Sequence, residues 1–555
     1  PWKYVKPWQL AQKKITDEVR SALDSATDAE TDPAVTRSLK WWLISHALFF
    51  RHRGKSRGGR RKHENDSVRN RFDWWSSGNL RKLVDVFVRE AESETRRRNR
   101  DRSSANARSN TIKRAMEYLE LGLLSKCRNL LLSTGLGDMS DPTVVAQLDA
   151  KHPQRQRDLP GSPPVTNAPP ITIDPENLRK KYRSLKRLAG VGPDGLPNEH
   201  LIALASHSDD PEAEKAIEGH AYMAEQHFNG AFPRWWYATT SAVRMLALIK
   251  KPGNPDVRPV AIGNCTRRAW TSLLVKQVAP IAGDSMHVQQ VAVGVSSGIP
   301  ILFQAVRQHL EDNPDHCVLK VDIRNAHNEC SRATMLDAFL SHADASIRQL
   351  ATPFWLTYSP SATIFGINAR SEDGGQQGDA FASLGFALGI HDALRAADEF
   401  LATHGGKACA ISDDMYFVGP MDKILEIART TRDRLHADFQ CTLQPSKSEI
   451  WGRNIPEIRS FLSTCGEDFK IGSSHNATSA PFPDAGYGIM VGGLPVGDTT
   501  FIDNKLSAKV ERILEDNKKI SDYLRSYSSA GLFAVLWHCC QPLLQHEMQN
   551  LPPRT

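Results

Sequence analysis

The chain has 555 residues, of which 40% are hydrophobic and 24% charged, enough for several domain-sized units of ordinary globular make-up. No run approaches the ~18 consecutive apolar residues of a membrane span, and the opening Pro1-Trp2-Lys3-Tyr4 is too polar and aromatic for a secretory leader. The nine cysteines are scattered, odd in number and without Cys-x-x-Cys spacing, which argues against a disulfide framework and for a reducing nuclear or cytoplasmic setting.

The net charge of +7 is unevenly spread: residues 51–114 hold 20 Lys/Arg against 8 Asp/Glu, so the rest of the chain sums to −5. Runs such as Arg57-Gly58-Gly59-Arg60-Arg61-Lys62 and Arg96-Arg97-Arg98 suit a polyanion; a solvated basic arm is the plainer reading. Helical spacing is expected over 1–50, with Trp41, Trp42, Leu43 and Leu48. It recurs over 80–88, and again over 110–134 through Met116, Leu119, Leu123 and Leu130. Seven prolines within 151–175 predict a linker or an extended crossing. From about 176, helices alternate with short apolar strands, the texture of an α+β core. The segment 501–545 is helical again, with Leu506, Val510, Ile513, Leu514, Ile520 and Leu524 on one side. His538-Cys539-Cys540 lacks a second ligand pair at zinc-finger spacing, so buried thiols are the simpler expectation.

Two places carry acids in a context that calls for chemistry. Cys317-Val318-Leu319-Lys320-Val321-Asp322 is a β-rich run ending in a carboxylate, which is costly to bury without a compensating cation. The helix that follows would take its cap from Ser331, not from Asp322. Ala408-Cys409-Ala410-Ile411-Ser412-Asp413-Asp414-Met415-Tyr416-Phe417 reads as a hairpin with adjacent acids at its tip, a repulsion that Mg²⁺ relieves. Ser-Asp-Asp recurs at Ser208-Asp209-Asp210, before Pro211 and Glu212, where it is a turn or a helix start. The strand-flanked context therefore carries the signal, and two such carboxylate sites suit two-metal nucleotidyl transfer.

In this order the motifs resemble those of reverse transcriptases, in particular those of non-LTR (LINE-type) retroelements. Lys320-Val321-Asp322-Ile323-Arg324-Asn325-Ala326-His327-Asn328 resembles motif A. Gly375-Gln376-Gln377-Gly378-Asp379 resembles motif B, Ile411-Ser412-Asp413-Asp414 motif C, and Leu443-Gln444-Pro445-Ser446-Lys447 motif D. Val491-Gly492-Gly493-Leu494 is similar to the primer-grip turn and Val257-Arg258-Pro259-Val260 to the fingers motif. Gly192-Pro193-Asp194-Gly195 matches the loop ahead of it, and Ala150-Lys151-His152-Pro153 the region before that domain. The resemblance spans roughly 115–550 and implies a right-hand polymerase: fingers, a palm with an antiparallel sheet, and a helical thumb.

The implied layout is a basic helical extension (1–150), a Pro-rich linker (151–175), fingers with part of the palm (176–316), palm (317–500) and thumb (501–555). Palm helices are expected at 331–342, 380–400 and 421–438. The implied activity is RNA-directed DNA synthesis with two Mg²⁺ ions, which Mn²⁺ may replace, using template RNA, a DNA primer or target DNA, and deoxynucleoside triphosphates. The resemblance makes Asp322, Asp413 and Asp414 the metal ligands and Lys447 a proton donor to pyrophosphate. The backbone of Ile323 and Arg324 would pass close to the triphosphate, and Arg258, Lys251 (or Lys250), Gln377 and Gly378 would contact the nucleotide.

Two departures open alternatives. His327 stands where the family carries Phe or Tyr against the ribose 2′-hydroxyl, which puts sugar discrimination in question. Motif C usually reads aromatic-x-Asp-Asp where this chain has Ile411-Ser412, and Ser-Asp-Asp also occurs in RNA-copying viral polymerases. An RNA-dependent RNA polymerase is therefore the first alternative, opposed by the Gln377-Gly378-Asp379 form of motif B; a decayed, RNA-binding relative is the second. No endonuclease motif is evident, and the absent initial Met leads us to expect a fragment of a longer protein.

Overall fold

The computed structural model describes residues 2–50, 60–98, 107–250, 256–287, 289–376, 378–473 and 486–551. Within them the protein is a mixed α/β molecule built on three sheets, as the α+β expectation requires. Among the described residues no helix is long and apolar enough to cross a membrane.

The sequence begins with helices Val5–Ser25 and Pro33–Phe50. Trp8, Ile15, Val19, Leu39, Trp42 and Phe49 repeat at helical spacing and are buried. Trp42 packs against Trp236 and Trp270, ring centroids 5.5 and 5.7 Å away, so these helices share one continuous core with the body of the protein. A buried relay reinforces the contact: Trp270 donates to the Tyr182 hydroxyl (2.9 Å), Tyr182 meets His220 Nδ1 (3.1 Å), and His220 Nε2 meets Gln12 Oε1 (3.0 Å). The basic region is also folded where described. Helix Arg60–Ser76 buries Val68, Phe72 and Trp75, and buried Arg71 pairs with Glu90 at 2.6 Å.

The remainder of the stretch read as an N-terminal extension reaches two other surfaces. Helix Leu124–Leu131 buries Cys127 and Leu131 against Ile520, Leu524 and Val535 near the C-terminus. Residues 134–137 then run along β1 (Val243–Ile249), with Gly137 N–H donating to the Ala247 carbonyl at 2.9 Å. Helix Pro142–Asp149, capped by Asp141, adds Val144 and Leu148 to that sheet's core. The Pro-rich crossing has no regular element before helix Pro175–Arg183. It is nonetheless pinned: Ile171 and Ile173 are buried and donate their N–H groups to Asn229 and Glu225, 2.8 and 2.7 Å away.

β1 pairs antiparallel with β2 (Val257–Gly263) and parallel with β4 (Ala362–Phe365), which pairs with β5 (Arg370–Ser371). The central sheet has the order β6-β7-β3-β8-β9, with β3 Cys317–Val321, β6 Lys407–Ile411, β7 Asp414–Gly419, β8 Glu449–Gly452 and β9 Lys470–Ile471. All its pairings are antiparallel except β8–β9. Helices Arg332–Ser341, Ala380–Ala402 and Met421–Phe439 lie where the sequence places them. Residues such as Leu319, Met415, Phe417 and Ile450 share a core with them. On the other sheet face Val318, Tyr416, Val418 and Trp451 meet helix Gly298–Asp312 and the hairpin β10 (Gly488–Val491)–β11 (Leu494–Gly497). The C-terminal helix Thr499–Leu524 ends well short of residue 545, and shorter helical turns follow it.

Candidate active site

The two-residue period of strands decides which side chains meet. β3 and β7 pair with Lys320 opposite Tyr416 and Val321 opposite Met415. Asp322, Lys320 and Val318 therefore project from one face, with Asp414, Tyr416 and Val418 beside them on the same face. Deep in the sheet that face is apolar; at its open end it turns acidic. Lys320 Nζ lies 3.1 Å from an Asp414 oxygen. Asp413 stands at the tip of the β6–β7 hairpin, whose last pair is Ile411 with Asp414. Ser412 takes the left-handed conformation at φ 57°, which few non-glycine residues adopt.

The Asp322 carboxyl sits above its ordinary pKa because burial penalises the charge, and Asp414 and Asp413 push the same way; Lys447 and Lys320 oppose them. The three acids and two lysines thus form one electrostatic unit. Its oxygens are the hard donors that Mg²⁺ takes, and its half-buried, mutually repelling carboxylates are what an added cation relieves. Among the described residues no three His, Cys, Asp or Glu side chains are gathered into a ready-made ion cage.

The strand end is fixed from the motif D side. Asp322 N–H donates to Ser448 Oγ (3.0 Å), Gln444 N–H donates to the Asp322 carbonyl (2.8 Å), and Ser448 Oγ also donates to the Gln444 carbonyl (2.9 Å). Ile323 is buried and bridges to Leu443. The Arg324 N–H is committed to the Thr442 carbonyl at 2.8 Å, and its exposed guanidinium pairs with Glu329 at 3.0 Å. Only the Arg324 side chain, not its amide, is placed to reach a ligand. Lys447 is exposed at the end of a single helical turn.

His327 lies between the acids and motif B. Its ring centroid is 4.9 Å from that of Phe386, and its Nε2 is 3.4 Å from Ser412 Oγ. Burial lowers its pKa and the Asp413 charge raises it. Its carbonyl accepts the Gly375 N–H at 2.6 Å, so the loop of residues 374–379 is tied directly to the segment that follows Asp322. A Cβ on Gly375 would come within 2.3 Å of the Ala382 Cβ, which is why glycine stands there. Gly378 has φ 89° with nothing within 4 Å of a Cβ position, leaving open space two residues ahead of helix Ala380–Ala402. Gln377 and Lys251 lie outside the described residues. Lys250 is ion-paired with Asp256, which Lys151 also holds at 2.8 Å; Arg258, opposite Leu248 on β2, is exposed.

Several positions that govern this geometry carry no sequence motif of their own. Buried Arg267 donates to Asp379 (2.5 Å), Gln376 (2.9 Å) and the Thr240 carbonyl (3.2 Å). Buried Arg332 donates to the Gly374 carbonyl at 2.7 Å and to the Tyr358 and Ser371 carbonyls. Two guanidiniums therefore brace the loop of residues 374–379. Tyr416, two residues past Asp414, accepts the Gly492 N–H at 3.2 Å, which couples the acidic hairpin to the turn between β10 and β11. These partners are tens to hundreds of residues apart, and no local pattern announces them. The tripeptide Ser208-Asp209-Asp210 is a helix start, as its context indicates: Asp210 caps Pro211–Glu214 and pairs with Lys6 at 3.1 Å. Seven of the nine cysteines are buried, Cys540 among them.

Neither a protein-family model nor a curated protein matches this chain.

Proposed function

We propose that the protein is an RNA-directed DNA polymerase, the polymerase region of a non-LTR-type retroelement, extending a DNA primer on template RNA with deoxynucleoside triphosphates. One observation carries the reading: the antiparallel pairing of β3 with β7 puts Asp322 on the same open sheet face as Asp414, with Asp413 at the adjoining hairpin tip. The reading implies a right-hand layout, with the central sheet as palm, the β1–β2 region as fingers and the helices from Thr499 as thumb.

In this reading Asp322 and Asp413 would hold two Mg²⁺ ions, or Mn²⁺ in their place, with Asp414 sharing the task beside Lys320. Bound there, the ions would supply Lewis acidity toward a primer 3′-hydroxyl and the pyrophosphate. The protein's own groups do the rest. Lys447, already coupled to Asp322, is the general acid toward the pyrophosphate. The exposed Arg258 fork and the Arg324 side chain meet phosphate oxygens, joined by Lys251 from the strand connection. Gly378, with Gln377 beside it, lets the base pair approach the start of helix Ala380–Ala402. The His327 ring, backed by Phe386, forms the wall against the sugar.

Primer extension with each sugar type tests the assignment. The expected result is Mg²⁺-dependent extension of a DNA primer on RNA with deoxynucleotides. Extension with ribonucleotides alone transfers the assignment to an RNA-dependent RNA polymerase; nucleic-acid binding without extension under any condition makes it a decayed relative.

A further inference from the structure

The main chain at the tip of the acidic hairpin is held by a side chain from outside it, that of Gln290. Residues 289–291 follow helix Cys265–Met286 and run beside β6: Ala410 N–H donates to the Gln289 carbonyl (2.6 Å) and Val291 N–H to the Ala410 carbonyl (3.0 Å). This main-chain pairing stops at Ala410. The Gln290 side chain, fully buried, continues it for two more residues. Its Oε1 accepts the Ser412 N–H at 3.0 Å and the Ala292 N–H at 3.1 Å, and its Nε2 donates to the Ser412 carbonyl at 3.3 Å. Both backbone groups of the left-handed residue are thereby satisfied by one carboxamide. An amide group is suited to this because it offers a donor and an acceptor in one plane, as a peptide unit does. Gln289 fixes the other end of β6 indirectly: its amide donates to Asp398 (2.7 Å), which accepts the Ala408 N–H (2.8 Å).

We propose that Gln290 is a positioning residue for the candidate active site: its carboxamide holds Ser412 in the left-handed conformation and so sets where Asp413 stands relative to Asp322. It touches no substrate. The inference rests on the polymerase reading for its functional consequence, but the restraint on Ser412 is testable without it. Without the carboxamide nothing offsets the steric cost of left-handed backbone for an L-residue at Ser412, and the tip relaxes.

Two variants separate positioning from simple stability. Gln290→Met keeps the length and removes every polar contact. Gln290→Glu keeps the acceptor at all pH values and regains the donor only when the carboxyl is protonated. Three quantities are to be measured: hydrogen exchange of the Ser412 amide, primer-extension kinetics with deoxynucleotides, and thermal melting. The expected results are faster Ser412 exchange in Gln290→Met and a kcat about 100-fold lower, the cost of displacing a reacting group by about 1 Å. The nucleotide KM should stay within about threefold, and melting should remain close to wild type. For Gln290→Glu, the kcat ratio to wild type should rise as pH falls. Unchanged Ser412 exchange overturns the proposal, as does a kcat within threefold of wild type. Should Gln290→Met fail to fold, a flat pH ratio for Gln290→Glu overturns it equally. A wild-type protein that does not polymerise sinks the polymerase reading alone, and Ser412 exchange still decides the restraint.

Discussion

Replacing Asp379 with asparagine is the sharpest test of how the motif B loop is braced. Asp379 is 4% exposed and Arg267 is 1% exposed, so their 2.5 Å contact is a desolvated ion pair, in which electrostatics are least screened. Asp379 also caps helix Ala380–Ala402, accepting the Phe381 N–H at 3.0 Å. Asparagine caps about as well as aspartate, so Asp379→Asn isolates the loss of charge and leaves a buried guanidinium with only the neutral acceptors Gln376 and Thr240. Breaking one side of such a pair costs about 3–5 kcal/mol, against a typical total stability of about 5–15 kcal/mol. Asp379→Ala should cost about 1 kcal/mol more, through the cap. The double variant Arg267→Met/Asp379→Leu should be no worse than Asp379→Asn, because it removes both charges together. Urea unfolding followed by tryptophan fluorescence reports these differences, since Trp236 and Trp270 lie in the same core as the Arg267 helix. A chain of this size need not unfold in one step, so the comparison is made on the transition those tryptophans report. An Asp379→Asn protein within about 1 kcal/mol of wild type would refute the ion-pair reasoning, for that is the range of an exposed pair.

Two further predictions concern other parts of the structure. Burial lowers the pKa of His46 to about 4 and of His220 and His227 to about 3, so at mildly acidic pH the unfolded chain binds protons that the folded one refuses, and stability falls as pH drops below about 6.5. Together they reach about 4 kcal/mol per pH unit. Asp194, raised to about 6 by burial, returns about 1.4 of that between pH 6 and 4. Denaturant midpoints measured from pH 7 to pH 5 should decline, and a flat or rising profile contradicts the burial of these rings. Gly375→Ala forces a Cβ to 2.3 Å from that of Ala382 and strains the hydrogen bond to the His327 carbonyl. Overpacking of this kind costs about 1–3 kcal/mol, and the loss of primer extension should exceed that of Gly378→Ala at matched stability, because space is what Gly375 provides; an equal or smaller loss would contradict this.

The acids at the strand ends were legible in the sequence because both signals are local. An apolar β-rich run ending in Asp322, and a second broken by Ser412-Asp413-Asp414, state their own faces through the two-residue period. The same holds for the helices after Ser331, Asp379 and Pro420, whose starts and apolar spacing match what is observed. What escaped is non-local. Gln290, Ser448, Arg267 and Arg332 act through partners on other elements, and a buried polar residue looks no different in sequence from an exposed one. The helices of 1–50 were legible from their spacing, but the packing of the next segment was obscured for another reason: charge dominates the composition of 51–114. Yet Trp8, Trp42, Phe72 and Trp75 are buried, and their packing, not the charge, decides where the described helices lie. Lys250 is a further case, for its pairing with Asp256 is not announced by the residues around it.

Cleavage of the backbone by hydroxyl radicals from Fe²⁺, substituted for Mg²⁺ in the presence of peroxide and ascorbate, reports directly which residues surround a bound divalent ion. The shared carboxylate site predicts cuts on both strands at once, near Asp322 and near Asp413, with both sets of fragments lost together in Asp413→Asn. Cuts at only one of the two positions, or cuts near 322 that persist undiminished in that variant, would contradict it.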